Sequence, residues 1–164
     1  MLKLTFQNVH FVFGGMPMES QISISQNTLT ADLFRELFSA VGWEPPCREQ
    51  VAQALSHTLA TFTAILEGTP VGMVRLLGDG AMSFYLKDFA VLPALQGRGV
   101  GRALLQATQE FLLSSLPQGW AVSLELISTP QAVGFYRRQG FEERPCAWDG
   151  PGMFKMLRRD RAAE

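Results

Sequence analysis

Val91-Leu-Pro-Ala-Leu-Gln96-Gly-Arg-Gly-Val-Gly-Arg102 is the stretch on which the fold of this 164-residue chain turns. The apolar run Phe89 to Leu92 ends at Pro93, three glycines alternate at positions 97, 99 and 101, and strong helix formers follow from Ala103 to Leu113. The order is strand, glycine-rich turn, helix. A helix opens with backbone N–H groups that no intrahelical carbonyl accepts and with the positive end of its dipole. Glycine lets the preceding turn take left-handed dihedrals and lets a ligand reach the main chain without meeting a Cβ. An anion is therefore expected near Gly97 to Gly101.

The spacing excludes two common phosphate loops. A Walker loop ends in Gly-Lys-Ser/Thr, whereas Gly101 is followed by Arg102 and Ala103, and no Lys-Ser or Lys-Thr occurs in the chain. The dinucleotide pattern G-x-G-x-x-G/A also fails, because Gly97 and Gly99 lead to Arg102, and Gly99 and Gly101 lead to Leu104.

A second motif lies downstream. Ala121 to Ile127 reads as a buried strand, followed by Ser128-Thr129-Pro130, a helix from about Gln131 to Arg138, and Gly140-Phe141. With Gln96-Gly97-Arg98-Gly99-Val100-Gly101, the words Thr129, Ala132, Phe135-Tyr136 and Gly140-Phe141 resemble the GNAT superfamily of N-acetyltransferases. The family pattern carries Asn where this chain has Thr129, whose hydroxyl keeps hydrogen-bonding capacity. The resemblance runs from about Glu19 to Arg158 and is sharpest from Lys87 to Phe141. Shorter words, Val41-Gly42-Trp43 and Gly152-Met153-Phe154, are similar to a subgroup that includes plant and cyanobacterial serotonin (arylalkylamine) N-acetyltransferases.

The resemblance implies an α/β fold with a mixed, mostly antiparallel central sheet flanked by helices. It implies acetyl-CoA as co-substrate, its pyrophosphate at the glycine turn and its pantetheine arm along Phe89, Ala90 and Val91. Gln96, Gly97, Arg98, Gly99, Val100, Gly101 and Arg102 complete the implied cofactor set with Thr129 and Phe135. Tyr136 is implied beside the coenzyme A sulfur, where a phenol, of pKa about 10 when unperturbed, can protonate the departing thiolate.

The chemistry needs a neutral amine, a polarised thioester and a proton for the leaving group. Asp88 and Glu125 are the carboxylates on the central strands. Asp88 is a candidate general base, its alternative being a strand-edge carboxylate paired with Lys87 or an arginine. Glu125 interrupts an apolar strand and is a second candidate base and an acceptor-binding residue, its alternative being a water-facing structural role. Trp43, with Pro45 and Pro46, lies where the family builds part of its acceptor pocket, and Trp148 could face it; both tryptophans have core packing as the alternative.

Bulk properties fit one globular domain, residues 19–164, preceded by an extension at 1–18 that reads as an extra strand or arm. A chain this long buries roughly two thirds of its unfolded surface. Net charge is −1 with scattered basic residues, which argues against nucleic acid as partner. Cys47 and Cys146 stand in no metal-binding or disulfide spacing, and no apolar run is long enough to span or target a membrane. A cytoplasmic enzyme without a metal, acting on a small-molecule amine, is the expectation, with a homodimer implied by family habit. A lysine or N-terminal protein acetyltransferase and a non-catalytic acyl-CoA-binding module stay open as alternatives.

The remaining expected elements are a first strand at Gln21–Ser25, helices at Thr30–Val41 and about Arg48–Ser56, and a hairpin of Thr61–Leu66 with Val71–Leu77. A long strand is expected at Ala81–Val91 and a last one at Met153–Leu157.

Overall fold

The computed structural model describes residues 22–153. The described residues fall into two compact units that divide between Leu126 and Ile127. The proposed extension at 1–18 and all but the first residue of the expected last strand lie outside the described residues; Met153 itself is in no strand.

The first unit is built on a five-stranded sheet in the order β1-β2-β3-β4-β5. Its strands are β1 (Ile22–Gln26), β2 (Ala60–Leu66), β3 (Thr69–Gly78), β4 (Ser83–Val91) and β5 (Ser123–Glu125). The first four run antiparallel to their neighbours, and β5 is parallel to β4. That parallel step needs a crossover, supplied by α3 (Val100–Ser115). The mixed, mostly antiparallel sheet with flanking helices is thus the expected architecture.

Helices cover both faces, which is why β2 and β3 read as nearly unbroken apolar runs. On one face, α3 lays Leu104 against Gly72 of β3 and Phe111 edge-on against Phe62 of β2, ring centroids 5.7 Å apart. On the other, α1 (Ala31–Ala40) and α2 (Arg48–Ser56) bury Phe34, Leu37 and Val51 against Met73 and Ala90. Gly72 and Met73 are sequence neighbours pointing to opposite faces. A side chain at Gly72 would place its Cβ 2.9 Å from the Ala90 carbonyl oxygen and 3.2 Å from Leu104 Cδ1, so glycine here sets how closely α3 packs on the sheet.

Turn chemistry fixes the boundaries. Thr30 Oγ1 accepts from the Leu33 amide at 3.2 Å and caps α1. The β2–β3 hairpin turns on Glu67 and Gly68, both at positive φ (51° and 78°), the backbone of a tight two-residue hairpin turn. Thr69 and Pro70, read from sequence as part of the turn, belong to β3 instead. A register shift there lets proline enter the strand without a ladder hydrogen bond. The long strand β4 starts at Ser83 rather than Ala81. Asp79 Oδ1 accepts from the amides of Met82, Ala81 and Ser83 at 2.8, 2.9 and 3.2 Å, which withholds them from the ladder and holds the carboxyl below the usual range.

The clearest departure is β5. The expected strand Ala121–Ile127 shrinks to Ser123–Glu125, and none of it is fully buried. Its ladder with β4 ends at the Tyr85–Glu125 pair. Beyond that pair β4 carries a bulge at Asp88, and a bulge bends the strand that bears it.

In the second unit a single 3₁₀ turn, Pro130–Ala132, leads into α4 (Val133–Arg138). Proline suits such a first turn, where its missing N–H has no intrahelical partner to lose.

Candidate active site

The end of β4 and the start of α3 form the first group of site residues. Leu92 N donates to the Val71 carbonyl at 2.9 Å, and Val91 stands opposite Gly72. Antiparallel neighbours alternate between facing the partner and facing away. The Val91 N–H and carbonyl are therefore turned to the side away from β3, which β5 covers only as far as Tyr85. Gln96 Nε2 donates to the Val91 carbonyl at 3.1 Å, folding the glycine turn back on the strand. Ala90 beside it is buried under α1, and Phe89 is half-buried.

Pro93–Leu95 forms one 3₁₀ turn, after which Gly97 and Gly99 take φ of +75° and +88°. A Cβ built on either would meet no protein atom within 4 Å. Space is thus open on the outer side of the loop, and the left-handed backbone there favours glycine. Gly99 is the N-cap of α3, and no side chain caps that end. The first amide that α3 uses internally is Ala103 N, which donates to the Gly99 carbonyl at 2.9 Å. The amides of Val100, Gly101 and Arg102 precede it and have no intrahelical acceptor. Val100 is buried as the helix's anchor, while Arg98 and Arg102 are exposed, and the first turn holds no acidic residue. Among the described residues neither arginine enters a salt bridge. Open amides, a positive helix end and two cations make a cradle for a diphosphate.

Asp88 has φ of +52° and its Oδ2 accepts from Arg75 Nη1 at 2.8 Å. Its partner is thus an arginine, not the adjacent Lys87. Glu125, half-buried on β5, stands opposite Tyr85 of β4. Trp43 lies between α1 and α2 with its ring edge-on to Phe38, centroids 4.9 Å apart, packed at the margin of the core. Arg35 Nε donates to the Pro46 carbonyl at 3.0 Å, and Arg48 holds Asp32 through two hydrogen bonds of 2.8 and 3.2 Å. These contacts fasten the far end of the connection carrying Trp43, and Trp43 N donating to the Phe38 carbonyl at 3.2 Å fastens its start.

The second group belongs to the second unit. Thr129 is exposed, and its carbonyl accepts from Ala132 N at 3.0 Å and Ser128 Oγ at 2.8 Å. Tyr136 meets Phe135 and Phe141 edge-on, centroids 5.0 and 5.6 Å away. Its carbonyl accepts from Gln139 and Phe141 at 2.9 and 3.1 Å as the chain reverses through Gly140 at φ +85°. Burial among these rings pushes the phenol pKa from 10.0 up to about 12, so its proton is kept throughout the neutral range. Trp148 is largely exposed. No cluster of three or more His, Cys, Asp or Glu side chains suited to a metal occurs among the described residues.

Two residues escaped the sequence reading. Arg75 is a charge in the middle of an apolar strand, and Gly72 a glycine in a strand interior; both signals were present in the string Val71-Gly-Met-Val-Arg-Leu-Leu77.

The sequence pattern of the acetyltransferase (GNAT) domain matches residues 57–143, and the chain belongs to that family. Among curated proteins it is 31% identical over 135 residues to serotonin N-acetyltransferase 2, chloroplastic, of Oryza sativa subsp. japonica, covering 80% of this chain and 66% of that protein. It is 32% identical over 135 residues to GCN5-related N-acetyltransferase 1, chloroplastic, of Arabidopsis thaliana, covering 81% and 65%. The chain thus spans just under two thirds of the length of these relatives. A solved GNAT-family acetyltransferase from Streptococcus pneumoniae TIGR4 superposes with a TM-score of 0.67 at 34% identity, over 84% of this chain and 99% of that one.

Proposed function

We propose that this protein is an acetyl-CoA-dependent N-acetyltransferase that acetylates a primary amine on a small molecule by direct attack in a ternary complex. The observation that carries the reading is the open end of α3: uncapped amides behind Gly97 and Gly99, flanked by Arg98 and Arg102, with no acidic residue in the first turn. Charge-assisted hydrogen bonds of that kind contribute about 1.5–3 kcal/mol each. They suit a diphosphate ester better than a neutral ligand. When bound, the thioester supplies the activated acyl group.

The chain's own residues do the rest. Val91 turns its main-chain groups toward the side where an extended amide-bearing arm can pair with them, as an added strand would. The acceptor nitrogen, once deprotonated, forms the new C–N bond while the C–S bond breaks. The departing sulfur needs a proton, a role that the family resemblance gives to Tyr136, whose phenol its aromatic surroundings keep protonated. The acceptor's own proton passes to solvent or to Asp88 of β4 or Glu125 of the edge strand β5. Direct attack is preferred because neither Cys47 nor Cys146 lies in a sequence motif that would make it an acyl carrier. The Trp43–Pro46 connection offers an apolar wall for an aryl or alkyl amine. The rice relative's name puts arylalkylamines first among acceptors to try.

The test is an acceptor screen with acetyl-CoA that reads free thiol release across arylalkylamines, polyamines, amino acids and lysine peptides. A small amine should give the highest kcat/KM. A preference for lysine peptides would replace the proposed acceptor with a protein. Tight CoA binding without turnover on any acceptor would leave an acyl-CoA-binding module.

A further inference from the structure

Arg75 lies inside β3, on a sheet covered on both faces, where a guanidinium has little water to turn to. Each of its three nitrogens donates to the protein: Nε to Thr58 Oγ1 at 3.0 Å, Nη1 to Asp88 Oδ2 at 2.8 Å, and Nη2 to the Ala54 carbonyl at 3.3 Å. The Arg75 and Asp88 side chains are only 12% and 11% exposed. Thr58 Oγ1 also donates to the Ala54 carbonyl at 2.8 Å. One side chain thus joins the C-terminal turn of α2 to the middle of β4.

What it grips on β4 is the bulge. The register steps from Met73–Ala90 to Arg75–Lys87, so Asp88 and Phe89 together stand opposite Val74. The extra residue sits at φ +52°, a left-handed conformation that aspartate tolerates better than most residues but less well than glycine. Such a backbone persists when its surroundings over-determine it. Immediately beyond the bulge come Phe89, Ala90 and Val91.

We propose that Arg75 is a positioning residue: through its ion pair with Asp88 it holds the left-handed bulge that aims the end of β4 at the pantetheine arm of acyl-CoA. The inference rests on the reading of β4 as the acyl-CoA strand. It gives the Asp88 carboxylate the task of fixing a backbone conformation, and Arg75 the task of holding that carboxylate.

The experiment is calorimetric titration of the full chain with CoA, which reads affinity without turnover. Arg75→Gln should weaken CoA about tenfold. Adding Asp88→Gly to Arg75→Gln should bring affinity back to within threefold of the parent chain, because glycine takes φ +52° without an ion pair. Adding Asp88→Ala instead removes the same unpaired charge but resists the left-handed backbone, and affinity should stay about tenfold down. If alanine restores binding as well as glycine, relief of the charge explains everything and the inference is overturned. It is also overturned if Arg75→Gln binds CoA within twofold of the parent chain. Failure of the parent chain itself to bind CoA defeats the acyl-CoA reading and this inference with it. Should Arg75→Gln not fold, Arg75→Lys, which keeps a cation but cannot serve three acceptors in this fork geometry, carries the same series.

Discussion

Replacing Gly99 by alanine separates backbone strain from ligand contact. Gly99 sits at φ +88°, and an added methyl would meet no protein atom within 4 Å. The cost to the free protein is therefore conformational alone, roughly 1–2 kcal/mol for an L-residue in left-handed space. For a chain of this size each kcal/mol lowers Tm by about 2–4 °C, so the variant should lose roughly 2–8 °C. Gly68 is an internal control: in the β2–β3 turn it has φ +78° and is equally unobstructed. Gly68→Ala should show the same loss of Tm. Only at Gly99 does the methyl enter the space beside the open amides of α3. Loss of one amide–phosphate hydrogen bond there is worth about 1.5–3 kcal/mol, or about 10- to 150-fold in Kd. Titration with CoA at fixed ionic strength reads this directly. Equal weakening at both positions, or less than threefold at Gly99, would refute the assignment of the cradle.

Tyr136→Phe should lower kcat about a hundredfold, the usual scale of a lost general acid, while CoA affinity stays within threefold; steady-state kinetics beside calorimetry checks it. The same phenol makes an alkaline prediction. Its pKa rises from 10.0 to about 12 on folding, so the unfolded chain ionises first; stability is untouched below pH 10 and falls between pH 10 and 12 by about 2–3 kcal/mol in total. Urea melts across that range should show this component in the parent chain and not in Tyr136→Phe. Gly72→Ala forces a Cβ to within 2.9 Å of the Ala90 carbonyl and should destabilise by about 1–3 kcal/mol, read as a lower urea midpoint at unchanged slope.

Where one local rule acts alone, the sequence was a good guide. Thr30 before an amphipathic run, Pro45-Pro46 as a break, and glycines ahead of Ala103 led to α1, α2 and α3 within a residue or a few of their observed ends. The errors arise where a tertiary partner decides. Ala81 and Met82 have strand neighbours in sequence, yet their amides go to Asp79. Leu126 and Ile127 continue an apolar run, but β4 offers β5 no ladder beyond Tyr85. At the site, the glycine turn was readable because its chemistry is local backbone. The bulge was not, since nothing around Asp88 in sequence announces a left-handed aspartate. Its partner lies 13 residues away on another strand.

The connection from Val41 to Cys47 is tethered to α1 near its start, where Trp43 N donates to the Phe38 carbonyl, and at its far end, by Arg35 at Pro46 and by Asp32 at the adjoining Arg48. It belongs to the sheet face opposite α3. A scaffold arranged this way tolerates exchange of what it displays, because the course of the backbone is set by contacts outside the displayed side chains. On the proposed reading, diversifying Glu44 and Pro45 beside the core-packed Trp43 would sample new acceptors while the cradle at the start of α3 stays as it is. If the proposed function holds, acceptor selectivity can drift, or be redesigned, without retuning the grip on the acyl donor.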